Sequence, residues 1–567
     1  MTDAEPDAAP PQWPYCGRGT SASDSVGCRG VRAENRSACL AHLDDAERAA
    51  YLAALAPGAD LDLRAVSVTE QLLTELLDAL RDPADGISVV GQALCNGAIF
   101  TGGVNFRQVR FRAAANFSRG KFEGETTFRG ASFDSHSYFN EALFAGLATF
   151  SGANFGGDLQ LVDARFDGKA NFITTEFAGD VLSHGAVFAS ELDFGSAAFR
   201  GTQRLGPLTC LERVSLFRAN FSLQATLVIS AAEISCKRAR FEGPITLGVR
   251  HARVDLSEAE FVQPFTVRTE RYQRDGLQLQ EIMTARHEPM AKIMSLSGID
   301  AAKLLLSDVD MSECRFTGAH HLDQLRREGR WEFASPPAGL YWRSGLPLWW
   351  SHRTVIAEEC AWRALPSRPA AARRGWSAPP GGEPPGLATL TSIYRQLRKN
   401  LEDCKDEPGA ADFYYGEMEM RRHSATIPHG ERLLLHLYWA LSGYGMRASR
   451  AVVWFAATVA VTVVLIMVNG LPNSTPRPIV TETTTPAGRI ELRVENPDPV
   501  LTLPMGRRFS VERLDKSLRI VLNSAIFRSS GQNLTAWGTY TEMISRVVEP
   551  VLLGLAVLAV RGRLKRS

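Results

Sequence analysis

Cysteine is missing from the last third of this 567-residue chain, for all nine cysteines lie at or before Cys404. Thiols confined in this way belong in a reducing compartment, which excludes a disulfide-stapled secreted domain. Charge of one sign is lacking too. The 63 Lys and Arg face 62 Asp and Glu, so no global field draws the chain to nucleic acid or another polyanion. The opening residues, MTDAEPDAAPPQ, are acidic and Pro-rich, without the basic start and apolar core of a secretory signal. The N-terminal half is therefore expected to stay in the cytosol. A single hydrophobic core is excluded by length, which favours about two to four domains.

What the chain has instead is a rule of aromatic spacing. Phe100, Phe106, Phe111, Phe117, Phe122, Phe128, Phe133, Phe139, Phe144, Phe150, Phe155, Leu161, Phe166, Phe172 and Phe177 follow alternating steps of six and five. The register continues through Phe188, Phe194, Phe199 and Leu205, then weakens across Phe221, Leu227, Phe241, Leu247 and Phe261. A period of eleven also suits a right-handed helical coiled coil. Coiled coils, however, need apolar spacings of three and four. The intervals here hold Gly, Asn, Ser, Asp and Thr, as in NFSRGKFEGETTFRGASF, and these residues favour turns. The chain is thus expected to turn a corner every five or six residues, with each Phe inside and the small residue two before it, Ala or Gly, alongside. That is a four-sided β-solenoid.

Units such as Ala115-Asn116-Phe117 and Ala153-Asn154-Phe155 resemble the pentapeptide-repeat family, from about Ala98 to Val267. The resemblance implies a right-handed quadrilateral β-helix. A second block, Leu296, Ala301, Leu306, Met311 and Phe316, keeps strict steps of five, with Ile299, Leu304, Val309 and Cys314 two before the later members. It is expected to continue the solenoid after an excursion from Arg268 to Lys292.

Some members of the family mimic duplex DNA and protect gyrase, a role that needs a strongly negative face. Between Asn96 and Glu270, 18 Lys or Arg meet 18 Asp or Glu, and Arg107, Arg110, Arg112, Arg119 and Lys121 interleave with the acids. A DNA-mimic role is not expected. Regular solenoid walls ordinarily bind proteins, so the expected partner is a cytosolic protein of unspecified identity. No catalytic residue is nominated, and the chain is not expected to be an enzyme. His136 and His184 fall at solvent-facing or corner positions with no nucleophile or ligand partner repeating beside them.

Ahead of the solenoid, Cys16, Cys28, Cys39 and His42 offer three thiolates and an imidazole, a complete set for structural zinc. Only Cys39-x-x-His42 is tightly spaced, and ordinary reduced thiols are the alternative. Helices over Leu43 to Leu55, and from Thr69 in TEQLLTELLDALRD, are expected to cover the open first coil.

Beyond the repeats, HHLDQLRREGRWEF reads as a closing segment and Pro366 to Gly386 as a Pro- and Gly-rich linker. A helical hairpin follows, with Tyr394, Leu397 and Leu401 lining one face of its first helix. Phe413, Tyr414 and Met418 lie on the second, all as core. Its position suggests a coupler between solenoid and membrane.

Ala451 to Val468 is an uncharged run of 18 residues. As a helix it spans about 27 Å, close to the hydrocarbon thickness of a bilayer. Arg447 and Arg450 place its start in the cytosol. A second apolar segment, Val547 to Val560, precedes Arg561, Arg563, Lys565 and Arg566. Extended back to Tyr540 it reaches spanning length and takes in Glu542, Arg546 and Glu549, which share a helix face that permits mutual pairing. Such groups at membrane depth mark a candidate site, the alternative being an interfacial turn before a short tilted helix.

With both basic flanks inside, Asn469 to Gln532 lies outside. Within it VERLDKSLRIVLNSAIF sets Val511, Leu514, Leu518, Val521 and Ala525 on one face of an amphipathic helix. The order of helix, outer helix and helix resembles two-span potassium channels in topology only. RSSGQNLTAWGTY stands where a filter strand belongs, and the SGYG at Ser442 to Gly445 precedes the first span.

The expected order is a Cys/His segment and helical cap at 1–95, the solenoid at 96–267, the excursion at 268–293 and the second block at 294–334. A connector at 335–386 and the hairpin at 387–446 follow. The first span takes 447–469, an external loop 470–539, and the second span with its basic tail 540–567. The expected function is a scaffold held in the cytoplasmic membrane, multi-pass, with both termini cytosolic. The rival is a channel-like homo-oligomer with the solenoid as sensor, its copies placing Arg546 and Glu549 around a shared interior.

Overall fold

A coil of the solenoid begins with its corners. Phe117 O accepts from Gly120 N at 3.0 Å, and Asn116 Oδ1 from Ser118 N at 3.0 Å, while Arg119 adopts a φ of 57°. A four-residue turn with positive φ at its third residue suits this bond. The same slot recurs every eleven residues at Gln108, Arg119, Gly130, Glu141, Gly152, Asp163, Thr174, Gly185 and Ser196. Each five-residue step makes this turn and each six-residue step makes the other corner, so the two spacings are two corner types.

In the computed structural model the described residues are 10–21, 24–270, 290–338, 340–343, 346–349, 352–369, 373–379, 382–473, 479–484, 490–495, 499–527 and 533–564. They fall into two compact units that meet in sequence between Pro385 and Gly386.

Two-residue strands between the corners pair in parallel with the next coil, as Phe111 with Phe133 and Phe133 with Phe155, or Ala115 with Ser137. Four such ladders form the faces. Inside, each Phe stacks on the ring one coil on: Phe122 and Phe144 lie 4.4 Å apart at 1°, Phe106 and Phe128 4.9 Å apart at 9°. Rings of one coil meet edge-on, as Phe106 and Phe117 do. Offset and edge contacts are the favourable aromatic geometries. Ala115, Thr126, Ser137, Ala142 and Ala153, each two before a Phe, are buried beside them. Exposed charges pair between coils, Arg110 with Asp134 at 2.8 Å and Arg238 with Glu258 at 2.6 Å.

The ladders start before Ala98. Leu61–Asp62 pairs with Ala93–Leu94, and Ser67–Thr69 with Ile99–Thr101. This first coil points Leu61, Leu63, Val66 and Val68 inward, so a search for Phe misses it. Helix α1 (Asp45–Ala53) is capped by Asp44, and α2 (Glu70–Ala79) by Thr69, whose Oγ1 accepts from Leu72 N at 3.3 Å. Helix α2 packs against the strands Ser67–Thr69 and Val104–Asn105.

The weakening after Leu205 has a geometric cause. Phe199 and Phe221 are 22 residues apart, but Phe221, Phe241 and Phe261 are 20 apart. Strands Arg204–Cys210, Ala225–Ser230 and Ile245–Arg250 run straight through one former corner. Ala225, Leu227 and Ile229 are buried at alternate positions, the period of a strand replacing the five-residue rule.

Strand Phe265–Thr269 runs into the expected excursion and Ala291–Ser295 resumes inside it; residues 271–289 lie outside the described ones. Leu296, Ile299, Ala301, Leu304, Leu306, Val309, Met311, Cys314 and Phe316 are all buried. Arg326–Glu332, from the closing segment, is a further strand parallel to Leu304–Asp310. Helix α3 (Ala357–Ala364) then sends Glu358 to the end of the ladder. Its Oε1 accepts from Phe316 N, and from Thr317 N at 3.1 Å and Thr317 Oγ1 at 3.3 Å. Part of the expected linker also packs, Arg368 lying 3.7 Å over the Trp362 ring.

The C-terminal unit opens with α4 (Leu387–Asp403) and α5 (Glu407–His423), packed as a hairpin. Gly416 admits the Tyr394 ring, since a Cβ there would fall 2.4 Å from Tyr394 Cε1. Leu397, Leu401, Phe413 and Met418 are buried with Tyr394. Tyr414 is only half-buried; Tyr415 turns inward in its place, its hydroxyl accepting from Trp439 Nε1 at 3.2 Å. Helix α6 (His429–Ser442) ends at Gly443 in the left-handed region. The SGYG segment is this helix stop, with Tyr444 buried and its hydroxyl donating to Glu419 Oε1 at 3.0 Å. Helices α7 (Ala448–Leu465), α8 (Val511–Phe527) and α9 (Ala536–Leu564) complete the unit.

Candidate functional site

The structure brings Cys16, Cys28, Cys39 and His42 together, with their ligand atoms all within 4.8 Å of one another. Two short segments run antiparallel, Cys16 N donating to Gly30 O and Gly17 N to Cys28 O, each at 2.8 Å, so Cys16 and Cys28 stand side by side. Cys39 precedes the 3₁₀ turn Leu40–His42, which presents the imidazole. Gly30 makes the approach fit, for a Cβ there would lie 3.1 Å from Cys39 Cβ. Val31 N, next along, donates to Arg64 O at 2.9 Å and ties the cluster to the first coil.

The spacings suit a tetrahedral ion. Bonds of about 2.3 Å to sulfur and about 2.0 Å to nitrogen require edges of about 3.8 Å between sulfurs and about 3.6 Å from sulfur to nitrogen. Cys28 Sγ and Cys39 Sγ are 3.7 Å apart, Cys16 Sγ and His42 Nδ1 3.5 Å, and Cys39 Sγ and His42 Nδ1 3.2 Å. Burial, with Cys28 and Cys16 beside it, pushes the Cys39 thiol up to about 12, and burial also raises Cys28. Cys16 is lowered: burial works against ionisation, but the backbone amides of Cys39 and Arg18 outweigh it. Ionising all three thiols this close together would require a cation among them.

In the C-terminal unit, Ala448–Gly470 and Ala536–Val560 are long and apolar enough to cross a membrane. Their outward faces are apolar, and several polar side chains are buried beside an apolar cluster of Val463, Ile466, Leu471, Ile520, Val521 and Leu534. Thr462, Ser517, Ser524, Glu542, Ser545 and Glu549 are buried, whereas Val453, Val461, Trp537, Val547, Val551 and Leu558 are exposed. Gly470 and Gly538 bring the helices together, a Cβ on Gly538 falling 2.7 Å from Gly470 Cα.

The stripe on α9 divides. Arg546 Nη2 donates to Glu542 Oε1 at 2.8 Å, and Arg546 Nε reaches Ser524 Oγ at 3.4 Å. Glu549 does not join them: both of its oxygens are buried without a hydrogen-bond partner among the described residues. The mutual pairing that the shared face permits therefore holds for two of the three. Helix α8 also differs from expectation. Val511, Leu514 and Leu518 share an exposed face, but Val521 turns inward with Ser517, Ile520 and Ser524; the Ala525 side chain lies outside the described residues.

Sequence reasoning missed two arginines. Arg513 Nη2 donates to Leu471 O at 2.7 Å and to Met467 O at 3.0 Å, and Arg508 Nη1 to Val468 O at 3.2 Å. They satisfy carbonyls left open where α7 passes through the π-helical turn Ile466–Gly470. The available signal was the pair of basic residues that begins the outer helix. His136 is a surface residue whose Nδ1 accepts from Asp158 N at 3.1 Å, and His184 is exposed.

Residues 96–143 and 121–165 match the family model described as pentapeptide repeats (9 copies). No curated protein and no solved structure matches the chain. The matched segments lie inside the four-faced ladder, so the chain carries a pentapeptide-repeat solenoid, followed by a C-terminal unit with two helices long and apolar enough to cross a membrane.

Proposed function

We propose that the chain is a scaffold anchored in the cytoplasmic membrane by α7 and α9, both termini cytosolic, whose solenoid walls bind a cytosolic protein. The apolar outside of α7 and α9 carries the reading. Aliphatic side chains cover the outside of α7 and α9, and their mainly apolar seam takes in a few hydroxyls, glycines and carboxyls, an arrangement suited to lipid as solvent. The solenoid supports binding rather than turnover: its interior is a continuous apolar ladder and its exposed charges are paired coil to coil. That interleaving disfavours a duplex mimic.

The test is photo-crosslinking from one position on each wall, Lys121, Thr127, Gln160 and Glu176, in full-length protein on carbonate-washed membranes supplied with cytosol. One recurrent protein adduct that depends on the wall position supports the scaffold. Uniform absence of adducts from every wall sinks it.

The Cys16, Cys28, Cys39 and His42 cluster is assigned a structural zinc, on the tetrahedral spacing of its ligand atoms. Bound zinc would supply the cation that lets the thiols ionise together and would fix the segment to the first coil. Metal analysis of the purified full chain is expected to find one zinc per protein and none in Cys39→Ser.

A further inference from the structure

One buried polar group stands apart from the rest. Glu549 is 0 % exposed, and neither carboxyl oxygen has a hydrogen-bond partner among the described residues. Across from it on α7 is Thr462, whose hydroxyl donates to Thr458 O at 2.9 Å within its own helix. Buried Leu552, Ala556 and Ala559 continue the same face of α9.

Among the described residues no countercharge is placed to meet this carboxyl. On α9, Arg546 is one turn back and is held by Glu542 and Ser524. Helix α7 carries no titratable side chain from Ala451 to Leu465. On α8, Glu512 pairs with Lys516 and Asp515 with Arg519 at the exposed face, and Arg513 is spent on carbonyls. Helix α6 also touches α9; its ionisable groups are His429, Glu431, Arg432, His436 and Tyr438, of which Glu431 pairs with Arg421 and His436 Nδ1 lies 2.7 Å from Arg432 O.

An ionised carboxylate in such a place loses its hydration and faces only the Thr462 hydroxyl, which already donates within its own helix, a cost that a bound proton removes. Resting on the membrane reading above, we propose that Glu549 is a proton-binding site within the bilayer, taking up and releasing one proton at the seam of α7 and α9. Protonated, it is a neutral group that the apolar seam accepts. Deprotonated, it places a bare charge between two packed helices, and the seam must open to water to solvate it. The ligand is the proton itself, and its occupancy sets how firmly α9 docks on α7.

The test uses full-length protein in washed native membranes and a fluorescent hydrophobic carbodiimide. This reagent adds to a protonated carboxyl in an apolar setting: the carboxyl oxygen bonds the central carbon and the proton passes to a reagent nitrogen. The expected result is label on the peptide containing residue 549, declining as pH rises and lost in Glu549→Gln, with no label at Glu542. Glu549→Gln keeps the size and neutrality of the protonated acid, so it is expected to fold and stay in the membrane. Protein that survives an alkaline carbonate wash yet takes no label, keeps its label in Glu549→Gln, or labels equally at every pH overturns the proposal and leaves the membrane reading standing. Release into the carbonate wash overturns both.

Discussion

Phe144 sits between rings above and below, 4.4 Å from Phe122 and 4.5 Å from Phe166, so its removal opens a cavity that no neighbour can fill without leaving its own stack. Phe144→Ala is expected to cost about 3–5 kcal/mol, read as a lowered denaturation midpoint of the N-terminal transition in the full chain. At the other end of the ladder, burial outweighs the amides of Phe316 and Thr317 and raises the Glu358 carboxyl above its ordinary range. A carboxyl raised on folding binds its proton more tightly in the native state, so its contribution is fully present below the unfolded value of about 4.3 and is lost as pH climbs through the raised native value. Thermal unfolding across that window is expected to show a falling midpoint in wild type and a flatter one in Glu358→Gln, which retains the accepting oxygen and removes the titration. The Phe ladder was legible in sequence because each ring obeys one spacing. Glu358 was not, since it reaches Phe316 across about forty residues of intervening chain and no local pattern records such a contact.

At the scale of elements, a rule of composition fails wherever the geometry that produced it changes. The first coil uses Leu and Val in place of Phe, and the later coils straighten one corner, so both lie at the margins of the spacing rule while remaining in the same ladders. The Cys/His cluster shows the reverse: ligand types disclosed it at irregular spacings, because the antiparallel segment before Val31 makes distant cysteines neighbours. Helix α8 shows a third case. Its apolar stripe was visible, but which side faces protein depended on Ser517 and Ser524, residues that resemble a polar surface until they are set against other helices. Arg513 fastens that arrangement. Arg513→Ala strips donors from Met467 O and Leu471 O and is expected to cost about 1.5–3 kcal/mol. Limited proteolysis in vesicles should then cleave α8 sooner, with Arg513→Lys intermediate because a single ammonium replaces a two-pronged fork. Unchanged cleavage in Arg513→Ala would mean that α8 is held by packing alone.

For the whole molecule, the choice between scaffold and channel turns on where the charged stripe of α9 points. A pathway shared among copies needs Arg546 and Glu549 on an outer face, free to meet the same residues of neighbouring chains. Instead Glu542 and Glu549 are buried within a single chain, and Arg546 is engaged by Glu542 and Ser524 of that chain. The outer surface of α7 and α9 presents Val453, Val461, Val547, Val551 and Leu558, which offer nothing to a hydrated ion. Liposomes holding the full-length protein at high density are therefore expected to show no potassium or sodium flux above that of empty vesicles. Arg546→Ala with Glu549→Ala is expected to leave flux at that baseline while lowering the thermal stability of the reconstituted protein, because the double change removes the partner of Glu542 and empties a packed seam. Flux in wild type that disappears in the double variant would reverse the assignment: the seam would have to open between copies, and the solenoid would become the sensor of a gate. Silence in both, with folded protein recovered from the vesicles, leaves the helices without a conducting role and agrees with a charged stripe held inside a single chain.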